Sequence, residues 1–427
     1  MGTMRIALVS EHASPLAALG GQDAGGQNVH VAQLAAALAR RGHEVRVYTR
    51  RDDTRLPDAV DASGTTVEHV PAGPPLALPK DELLPFMGEF GRWMARRWRH
   101  GPFKPDLVHA HFWMSGVATQ VALRTRRLPM LITYHALGTV KRRMQGDKDT
   151  SPRRRIELER AVAHAADRVV VQGSDEIEEL AAYGIGGDRT VCVPSGVDIG
   201  RFRPGDADRP ATKRILTVAR FVERKGHHDL LRALPALPGV RLLIAGGPPP
   251  EELDRDPYAQ DLRSLAQQLG VADRLTLLGC VPQDEMPALY RSVDAVACTP
   301  WYEPFGITPL EAMACGTPVV AYAVGGLRDS VAHRRTGTLV PARDVDALSR
   351  ALGEVVADDG LRRAYAAAAA ERARRRYDWD LIAGRMEDGY RTAIAARAEA
   401  VTDRKARRTG TRPVPAPSYR AVGTPRT

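Results

Sequence analysis

The sequence is short of aromatic residues, of cysteine and of long apolar runs, and each shortage excludes a class of protein. Aromatic residues make up 5% of the 427 residues, so we expect helices that pack through small aliphatic side chains. No 18-residue apolar run occurs, and the opening MGTMRIALVSEH is typical of a strand rather than of an export signal. We therefore expect a cytoplasmic protein. The cysteines never stand two residues apart, which argues against a zinc knuckle and a disulfide framework; they are Cys192, Cys280, Cys298 and Cys315.

The formal net charge of +10 is concentrated at the end of the chain. Residues 401–427 hold seven Lys or Arg against Asp403, a net +6, which leaves +4 for the rest. This segment is also rich in Pro, so we predict a disordered basic tail over 401–427. Because the remaining chain is only mildly basic, we do not expect nucleic acid as a partner.

Strand-like apolar runs alternate with helical stretches, and the alternation occurs twice. It covers residues 4–194, stops at the irregular segment 198–213, and resumes from 214 to 341. Such alternation predicts parallel sheets covered by helices on both faces. The sequence therefore predicts an α/β fold of two Rossmann-like, doubly wound domains facing a cleft, at 1–199 and 212–380. A C-terminal helix is predicted at 381–400.

In such domains ligands bind at the carboxyl ends of strands, and three motifs fall there. The first is DAGGQNVHV, in which Gly25 and Gly26 directly precede a helix. Paired glycines allow a ligand to approach backbone amides at a positive helix end, although a flexible loop would look the same. The motif is not GxGxxG, and no acidic residue closes the second strand, which argues against a nicotinamide dehydrogenase.

The second motif is ARFVERKG, in which Arg220 ends a strand and Lys225 follows five residues later. An arginine fork and a lysine point charge at a strand end can together neutralise a diphosphate. A pair of surface cations is the alternative interpretation.

The third motif, EPFGITPLE, places a carboxylate on each side of a helix start. The free amides near Phe305, Gly306 and Ile307 predict an anion site, with Glu303 at the helix mouth and Glu311 two turns in. Eight residues correspond to about 12 Å along the helix axis. This exceeds the roughly 5 to 9.5 Å between paired glycosidase carboxylates. The spacing instead suits a ligand with hydroxyls at both ends and phosphates between them, such as a nucleotide diphosphate sugar.

Together with TYHALGTVK and PSGVDIGRF, these motifs resemble the retaining glycosyltransferases of the GT-B fold, family 4 type. The branch resembled contains the sucrose-phosphate synthases and the mycothiol-pathway N-acetylglucosaminyltransferases. The resemblance runs from about residue 4 to 395. It implies an N-terminal acceptor domain, a C-terminal donor domain and a last helix that crosses back to the N-terminal domain.

The resemblance also implies the roles of the site residues. Glu303 would bind the donor sugar and Glu311 the ribose, while His135 would lie against the sugar near its reacting carbon. The diphosphate and its departing charge would be held by Gly25, Gly26, Arg220, Lys225 and the amides of Phe305, Gly306 and Ile307. The acceptor hydroxyl would attack on the face that the phosphate leaves, so the anomeric configuration is retained and positioning dominates catalysis.

Lys80 and either Arg154 or Arg155 match the context of residues that hold an acceptor phosphate in the resembled enzymes. Phe112 stands where the mycothiol-type enzymes carry a tyrosine, which removes one phosphate contact. The hypothesis is therefore transfer of glucose or N-acetylglucosamine from a UDP-linked donor to a small polar sugar or cyclitol, phosphorylated or not.

Two alternatives stay open. A GDP-mannose-dependent mannosyltransferase could act on a lipid or glycan at the membrane surface, with the basic tail at anionic headgroups. A sugar phosphorylase or a nucleotide-sugar-binding protein would use a similar donor site. The triplets at 147–149, 344–346 and 378–380 match D-x-D by chance in our interpretation, so no metal and no other cofactor is expected. We expect small molecules as partners. We also expect the protein to be a monomer or a homodimer.

Overall fold

The structure is a computed structural model that describes residues 2–17, 25–206 and 210–409. Two sheets dominate it, one on each side of the segment at 198–213, and the predicted α/β class with two doubly wound domains is confirmed. In the described residues no helix combines the length and the apolar character needed to span a membrane.

The N-terminal sheet has eight strands in the order β3-β4-β2-β1-β5-β6-β7-β8, and all pairs are parallel except β3 with β4. The strands are β1 Arg5–Val9, β2 Glu44–Arg50, β3 Ala59–Ala62, β4 Thr65–Val70, β5 Leu107–His111, β6 Met130–Thr133, β7 Arg168–Val171 and β8 Thr190–Cys192. The helices are α1 Gly26–Arg40, α2 Met87–His100, α3 Trp113–Ala122, α4 Gly138–Gln145, α5 Arg155–Ala165 and α6 Ser174–Ala181. Strand order reverses between β1 and β5, so a ligand is expected at the carboxyl ends of these two strands.

The C-terminal sheet has six parallel strands in the order β11-β10-β9-β12-β13-β14. The strands are β9 Arg214–Val218, β10 Arg241–Ala245, β11 Leu275–Gly279, β12 Ala295–Cys298, β13 Val319–Tyr322 and β14 Gly337–Val340. The helices are α7 His227–Ala233, α8 Pro257–Gln268, α9 Met286–Arg291, α10 Ile307–Ala314, α11 Leu327–Ser330, α12 Val345–Ala357, α13 Asp359–Arg376 and α14 Trp379–Thr409. Here the order reverses between β9 and β12, the strands that precede the ARFVERKG and EPFGITPLE motifs.

Sequence patterns missed the β3–β4 hairpin and α2, because charged residues obscure the apolar pattern of both. Strand β4 contains Glu68, which is buried and accepts hydrogen bonds from Arg46 and Arg97 at 2.7 Å each. Paired in this way, a carboxylate can be buried in a strand that reads as polar. The many arginines of helix α2 interrupt its apolar pattern in the sequence. Its buried residues nevertheless recur at helical spacing: Met87, Phe90, Gly91, Met94 and Trp98.

Helix α14 lies on the N-terminal domain. Its buried residues follow a helical stripe and join the cluster that contains β1 and α1: Trp379, Ile382, Ala383, Met386, Tyr390 and Ala393. Glu387 accepts hydrogen bonds from Arg41 at 2.5 Å and is bonded to His43 at 2.9 Å. The helix is longer than the predicted 381–400. Residues 401–409 of the predicted tail are helical, which corrects that part of the prediction, and 410–427 lie outside the described residues.

Candidate active site

Two helix starts face each other across the cleft between the domains. Gly25 and Gly26 begin α1, and Gly306 and Ile307 begin α10. A β-carbon on Gly26 would lie 3.5 Å from Ile307 Cδ1. Gly306 has φ +84°, and a β-carbon there would lie 2.8 Å from Leu327 Cδ2, so this turn requires glycine. The positive ends of both helices therefore point toward a common space, which favours an anion.

Lys225 and Glu303 form an ion pair at the C-terminal domain's side of this space. Lys225 Nζ lies 2.5 Å from Glu303 Oε2, and the two side chains are 17% and 18% exposed. Burial by itself would raise the pKa of Glu303, but Lys225, and then Arg224 and Arg220, outweigh burial and hold that pKa below its usual value. Glu303 is therefore ionised at neutral pH and can accept hydrogen bonds from hydroxyl groups. Arg220 is half-buried beyond the end of β9, beside the pair.

Glu311 faces a cavity of about 160 Å³ lined by both domains. Its carboxylate accepts a hydrogen bond from Tyr290 Oη at 2.7 Å and one from Gln283 Nε2 at 3.1 Å. Burial raises the pKa of Glu311 to about 7, against the opposing effect of these two hydrogen bonds and of Arg201. The cavity is also lined by residues of α1 and of the segment between the domains, including Asn28, Gln33, Asp198 and Phe202.

Four histidines cluster at the N-terminal domain's side of the cleft. His111 Nδ1 lies 3.0 Å from His135 Nε2, and the two rings are stacked. His30 contacts Ser195 Oγ at 2.9 Å and Gln172 Nε2 at 3.1 Å, and His109 contacts Tyr390 Oη at 2.8 Å. His135 directly follows Tyr134 at the end of β6 and has φ +59°, a strained value for a residue with a side chain.

These imidazoles are neutral at physiological pH. Burial, reinforced by the neighbouring histidines, lowers the pKa of His109 and of His135 to about 3 and lowers those of His30 and His111 well below the ordinary value. His135 can therefore offer a substrate a hydrogen bond without a charge. Within the described chain, the one group with spacing suited to a metal ion is His30, His111 and His135, whose ligand atoms lie within 4.8 Å of one another.

The residues predicted to hold the acceptor differ in their surroundings. Arg154 is exposed and pairs with Glu157 at 3.1 Å, whereas Arg155 is buried. Arg155 donates from Nε to Glu159 at 2.7 Å, from Nη1 to Ser151 Oγ at 3.1 Å and from Nη2 to the carbonyl of Ala136 at 2.6 Å. The structure thus gives Arg155 an internal bonding role, and it leaves Arg154 on the surface. Lys80 is half-buried at the start of a turn.

Several residues that shape the site were missed by sequence reasoning. Tyr290 and Gln283, the partners of Glu311, come from a helix and loop with no motif. Asn28 could have been found, because it stands inside DAGGQNVHV and its Oδ1 accepts from the Gly25 amide at 3.0 Å.

Asp149, at the end of the DKD triplet, lies 3.1 Å from Lys141, and the carboxylate is almost fully buried. This ion pair gives that aspartate a structural role.

Comparison with known proteins identifies the class to which this geometry belongs. Residues 24–201 match the family model Glycosyltransferase Family 4, and residues 201–372 match Glycosyl transferases group 1. The chain belongs to the GT-B glycosyltransferases and is an enzyme of the hexosyltransferase class.

Two curated relatives are similar over nearly their whole length. The D-inositol 3-phosphate glycosyltransferase of Xylanimonas cellulosilytica is 39% identical over 92% of this chain and 98% of its own. The D-inositol 3-phosphate glycosyltransferase of Mycobacteroides abscessus is 38% identical over 92% of this chain and 90% of its own.

Solved structures agree on the fold. The sucrose-phosphate synthase of Thermosynechococcus elongatus superposes with a TM-score of 0.83, at 32% identity over 92% of this chain and all of its own. Anabaena HepE, solved with UDP and glucose, has a TM-score of 0.71 at 21% identity over 91% of this chain and all of its own, which shows the shared fold alone.

Proposed function

We propose that this enzyme transfers glucose or N-acetylglucosamine from a UDP-linked donor to a small polar sugar or cyclitol, with retention of configuration. The observation that carries the proposal is the arrangement along α10. An ionised Glu303 paired with Lys225 lies at the helix start and Glu311 lies in a cavity further along, while the start of α1 faces them. A nucleotide sugar has a sugar, a diphosphate and a ribose in the same order as these three parts of the site.

The diphosphate is assigned to the space between the helix starts. Two helix ends, Lys225 and Arg220 supply positive potential there, and phosphate oxygens are strong acceptors for such donors. Lys225 already lies against Glu303, so it can hold a donor phosphate while keeping the sugar-binding carboxylate ionised. As the glycosidic bond breaks, the charge on the leaving phosphate grows, and this preorganised cation stabilises it.

The sugar is assigned to the space between Glu303 and His135. A neutral imidazole beside the reacting carbon does not oppose the positive charge that develops there, as an imidazolium would. Because the leaving phosphate takes the proton of the acceptor hydroxyl, the mechanism needs no separate general base. The relatives named D-inositol 3-phosphate glycosyltransferase support a cyclitol or similar polyol as the acceptor.

Donor binding tests the assignment directly. UDP-glucose, UDP-N-acetylglucosamine and GDP-mannose should be compared for thermal stabilisation of the enzyme. We expect a UDP sugar to raise the midpoint most, and we expect Lys225→Ala to abolish the rise. Lys148→Ala is the matched control, because Lys148 forms an exposed pair with Glu223 at 2.6 Å. Preferential stabilisation by GDP-mannose would contradict the UDP assignment and favour a mannosyltransferase.

Independence from metal is part of the proposal. The cations at the diphosphate site are side chains and helix ends, so transfer should proceed fully in EDTA. Activity that is lost in EDTA and restored by manganese would overturn this part.

An acceptor phosphate, where present, would be held by Lys80. We expect Lys80→Ala to raise the KM for D-inositol 3-phosphate while the KM for the donor stays the same. An unchanged acceptor KM would remove Lys80 from the site.

A further inference from the structure

Three histidines from separate elements bring ring nitrogens together on the N-terminal side of the cleft. His30 lies within α1, His111 ends β5 and His135 follows β6. One nitrogen of each ring lies within 4.8 Å of the other two. The ring centroids are 5.0 Å apart for His30 and His135, 5.3 Å for His111 and His135, and 5.6 Å for His30 and His111. The three rings therefore surround a common space.

This spacing is close to that of three imidazoles that bind one metal ion. Zn–N bonds of about 2.0–2.1 Å in a tetrahedral site put neighbouring nitrogens ~3.3 Å apart and ring centroids ~5 Å apart. His111 Nδ1 and His135 Nε2 are already 3.0 Å apart. The widest nitrogen spacing, 4.8 Å, would have to shorten. The contraction is about 1.5 Å, which small rotations of the rings can supply.

Two of these rings have a nitrogen that is buried without a partner. Among the residues that the structure describes, no group bonds to His30 Nε2 or to His111 Nε2, and these residues are 2% and 0% exposed. An unpaired polar atom is costly to bury, and a bound ion is one of the ordinary explanations for such an atom. The two rings thus have binding capacity that the protein's own hydrogen bonds do not use.

The rings are oriented by further contacts, as metal-binding histidines usually are. His30 Nδ1 lies 2.9 Å from Ser195 Oγ and 3.1 Å from Gln172 Nε2. With Nδ1 engaged in this way, His30 would bind a metal through Nε2. The ring of His111 packs against that of His109, with centroids 4.2 Å apart. Outer contacts of this kind fix the direction of a ligand's lone pair, and their loss usually weakens metal binding about 10- to 100-fold.

The ligand set selects the class of metal. Imidazole nitrogens suit Zn²⁺, Ni²⁺ and Cu²⁺, whereas Mg²⁺ and Ca²⁺ prefer oxygen ligands, and the group of His30, His111 and His135 contains no carboxylate. His135 is half-buried, unlike the other two, so an ion can reach the cluster from the cleft past this residue. Three protein ligands leave a fourth position of a tetrahedral ion for water or substrate. We expect this position to face the cleft.

We propose that His30, His111 and His135 bind one ion of the zinc class and that the bound ion inhibits transfer. Once bound to the metal, His135 is no longer available to the donor sugar. The ion also puts positive charge beside the carbon at which positive charge develops in the reaction. The inhibitory half of this inference rests on the proposed function, and the metal site itself does not. Since the ion opposes catalysis, transfer remains independent of metal.

Cobalt is the probe, because four-coordinate Co²⁺ absorbs visible light and its spectrum reports the ligand geometry without an activity assay. The full-length protein should be treated with EDTA, dialysed and titrated with Co²⁺, then with Zn²⁺ or Mg²⁺ as competitor, with and without UDP-glucose. Transfer to D-inositol 3-phosphate should be measured at the same metal concentrations. The variants are His30→Gln, His111→Gln and Gln172→Ala. His164→Asn is the control, because His164 is an exposed histidine of the same domain near the end of α5.

We expect one Co²⁺ per chain, with the absorption bands of a four-coordinate ion, displaced by Zn²⁺ and not by Mg²⁺. His30→Gln and His111→Gln should each weaken cobalt binding about 100-fold and Gln172→Ala about tenfold, while His164→Asn should bind like wild type. Zinc should inhibit transfer over the concentrations at which it displaces cobalt, and EDTA should restore activity. Saturating UDP-glucose should raise the zinc concentration needed for inhibition, because the sugar and the ion compete for His135.

Absence of four-coordinate bands in the wild type would overturn the metal site. Equal cobalt binding by wild type, His30→Gln and His111→Gln would do the same, because it would place the ion on other histidines. If a ligand variant does not fold, His135→Gln takes its place, and unchanged cobalt binding in that variant counts against the site. Zinc inhibition that UDP-glucose does not oppose would overturn the inhibitory role. Cobalt bands in an enzyme that no nucleotide sugar stabilises would contradict the proposed function and support the metal site.

Discussion

One side of the cleft is lined by charged side chains and the other by neutral ones. The C-terminal side contains charged groups in contact, Lys225 with Glu303 and Arg220 beside them. The N-terminal side contains four neutral histidines that bond to one another and to hydroxyl and amide groups. The difference follows the proposed chemistry, because phosphate charge must be stabilised on one side while the reacting sugar carbon becomes positive on the other. Four changes would break or sharpen this comparison.

Removing the cation of the charged side should have the largest effect. We expect Lys225→Ala to lower kcat for transfer about 1000-fold, or about 4 kcal/mol, the usual cost of losing a group that stabilises developing charge. The pKa of Glu303 should also rise, because burial would then oppose its ionisation with less compensation. Steady-state kinetics measure the effect, with Lys148→Ala as control. A loss below tenfold would show that Lys225 serves only as an ion-pair partner.

Removing the key histidine of the neutral side should cost less. We expect His135→Ala to lower kcat about 100-fold, within the range for a group that contacts the reacting centre. Because burial holds the pKa of His135 at about 3, wild-type kcat should show no inflection from this residue between pH 5 and 8. A bell-shaped profile that disappears in His135→Gln would contradict a neutral role.

The neutral histidines also make the fold sensitive to acid. Their folded pKa values lie below the ordinary 6.5, so the unfolded chain binds more protons as the pH falls from about 6.5 toward 3, and stability falls with it. Each such group contributes up to about 1.4 kcal/mol per pH unit. Glu176 and Glu311, with pKa values raised to about 7, act in the opposite direction between about 4.5 and 7.

The histidines outnumber these two carboxylates, so urea unfolding should give a lower free energy at pH 5.5 than at pH 7.5. His109→Gln should reduce that difference, and His164→Asn, on the surface, should not. Equal free energies at the two pH values would contradict the assignment of neutral, desolvated rings.

The smallest effect is expected at the far end of α10. A carboxyl with a pKa of about 7 is half protonated near neutrality, and its ionised form accepts hydrogen bonds from ribose hydroxyls better. Affinity for UDP should therefore rise severalfold from pH 6 to pH 8. We expect Glu311→Gln to bind several times more weakly at pH 8 and to lose this dependence, as calorimetric titration can measure. An unaltered pH profile in the variant would place the titrating group elsewhere.

Much of the charged side could be predicted from the sequence, because the carboxyl ends of parallel strands lie at one edge of a sheet. Motifs that follow β9 and β12 were expected at one site once the alternation of strands and helices was recognised, although the ion pair of Lys225 with Glu303 was not predicted. The neutral side was not accessible in the same way. His30 lies within α1 and His109 within β5, so neither follows a strand end, and they meet His135 only because strand order brings β5 and β6 beside α1.

Local signals were also available that pattern reasoning did not use. Glu159 follows Arg155 by four residues, a spacing that pairs opposite charges on one helix face, and it indicated an internal partner for that arginine. The positive φ of Phe112 had no such signal, since nothing in HAHFWMSG requires a strained turn. Strain of this kind is imposed by the surrounding fold.

The chain passes between the two domains at two places that lie side by side. Val197 pairs with Asp378 and donates its amide to the carbonyl of Tyr377 at 2.7 Å, and a β-carbon on Gly196 would lie 2.6 Å from the ring of Trp379. We therefore expect the two crossings to act as a single hinge, while a hydrogen bond from the Ser174 amide to Asp329 joins the domains elsewhere. We expect closure of the domains on a substrate to be a rotation about this short axis, and a larger side chain at Gly196 should hinder that rotation although it lies away from the reacting groups.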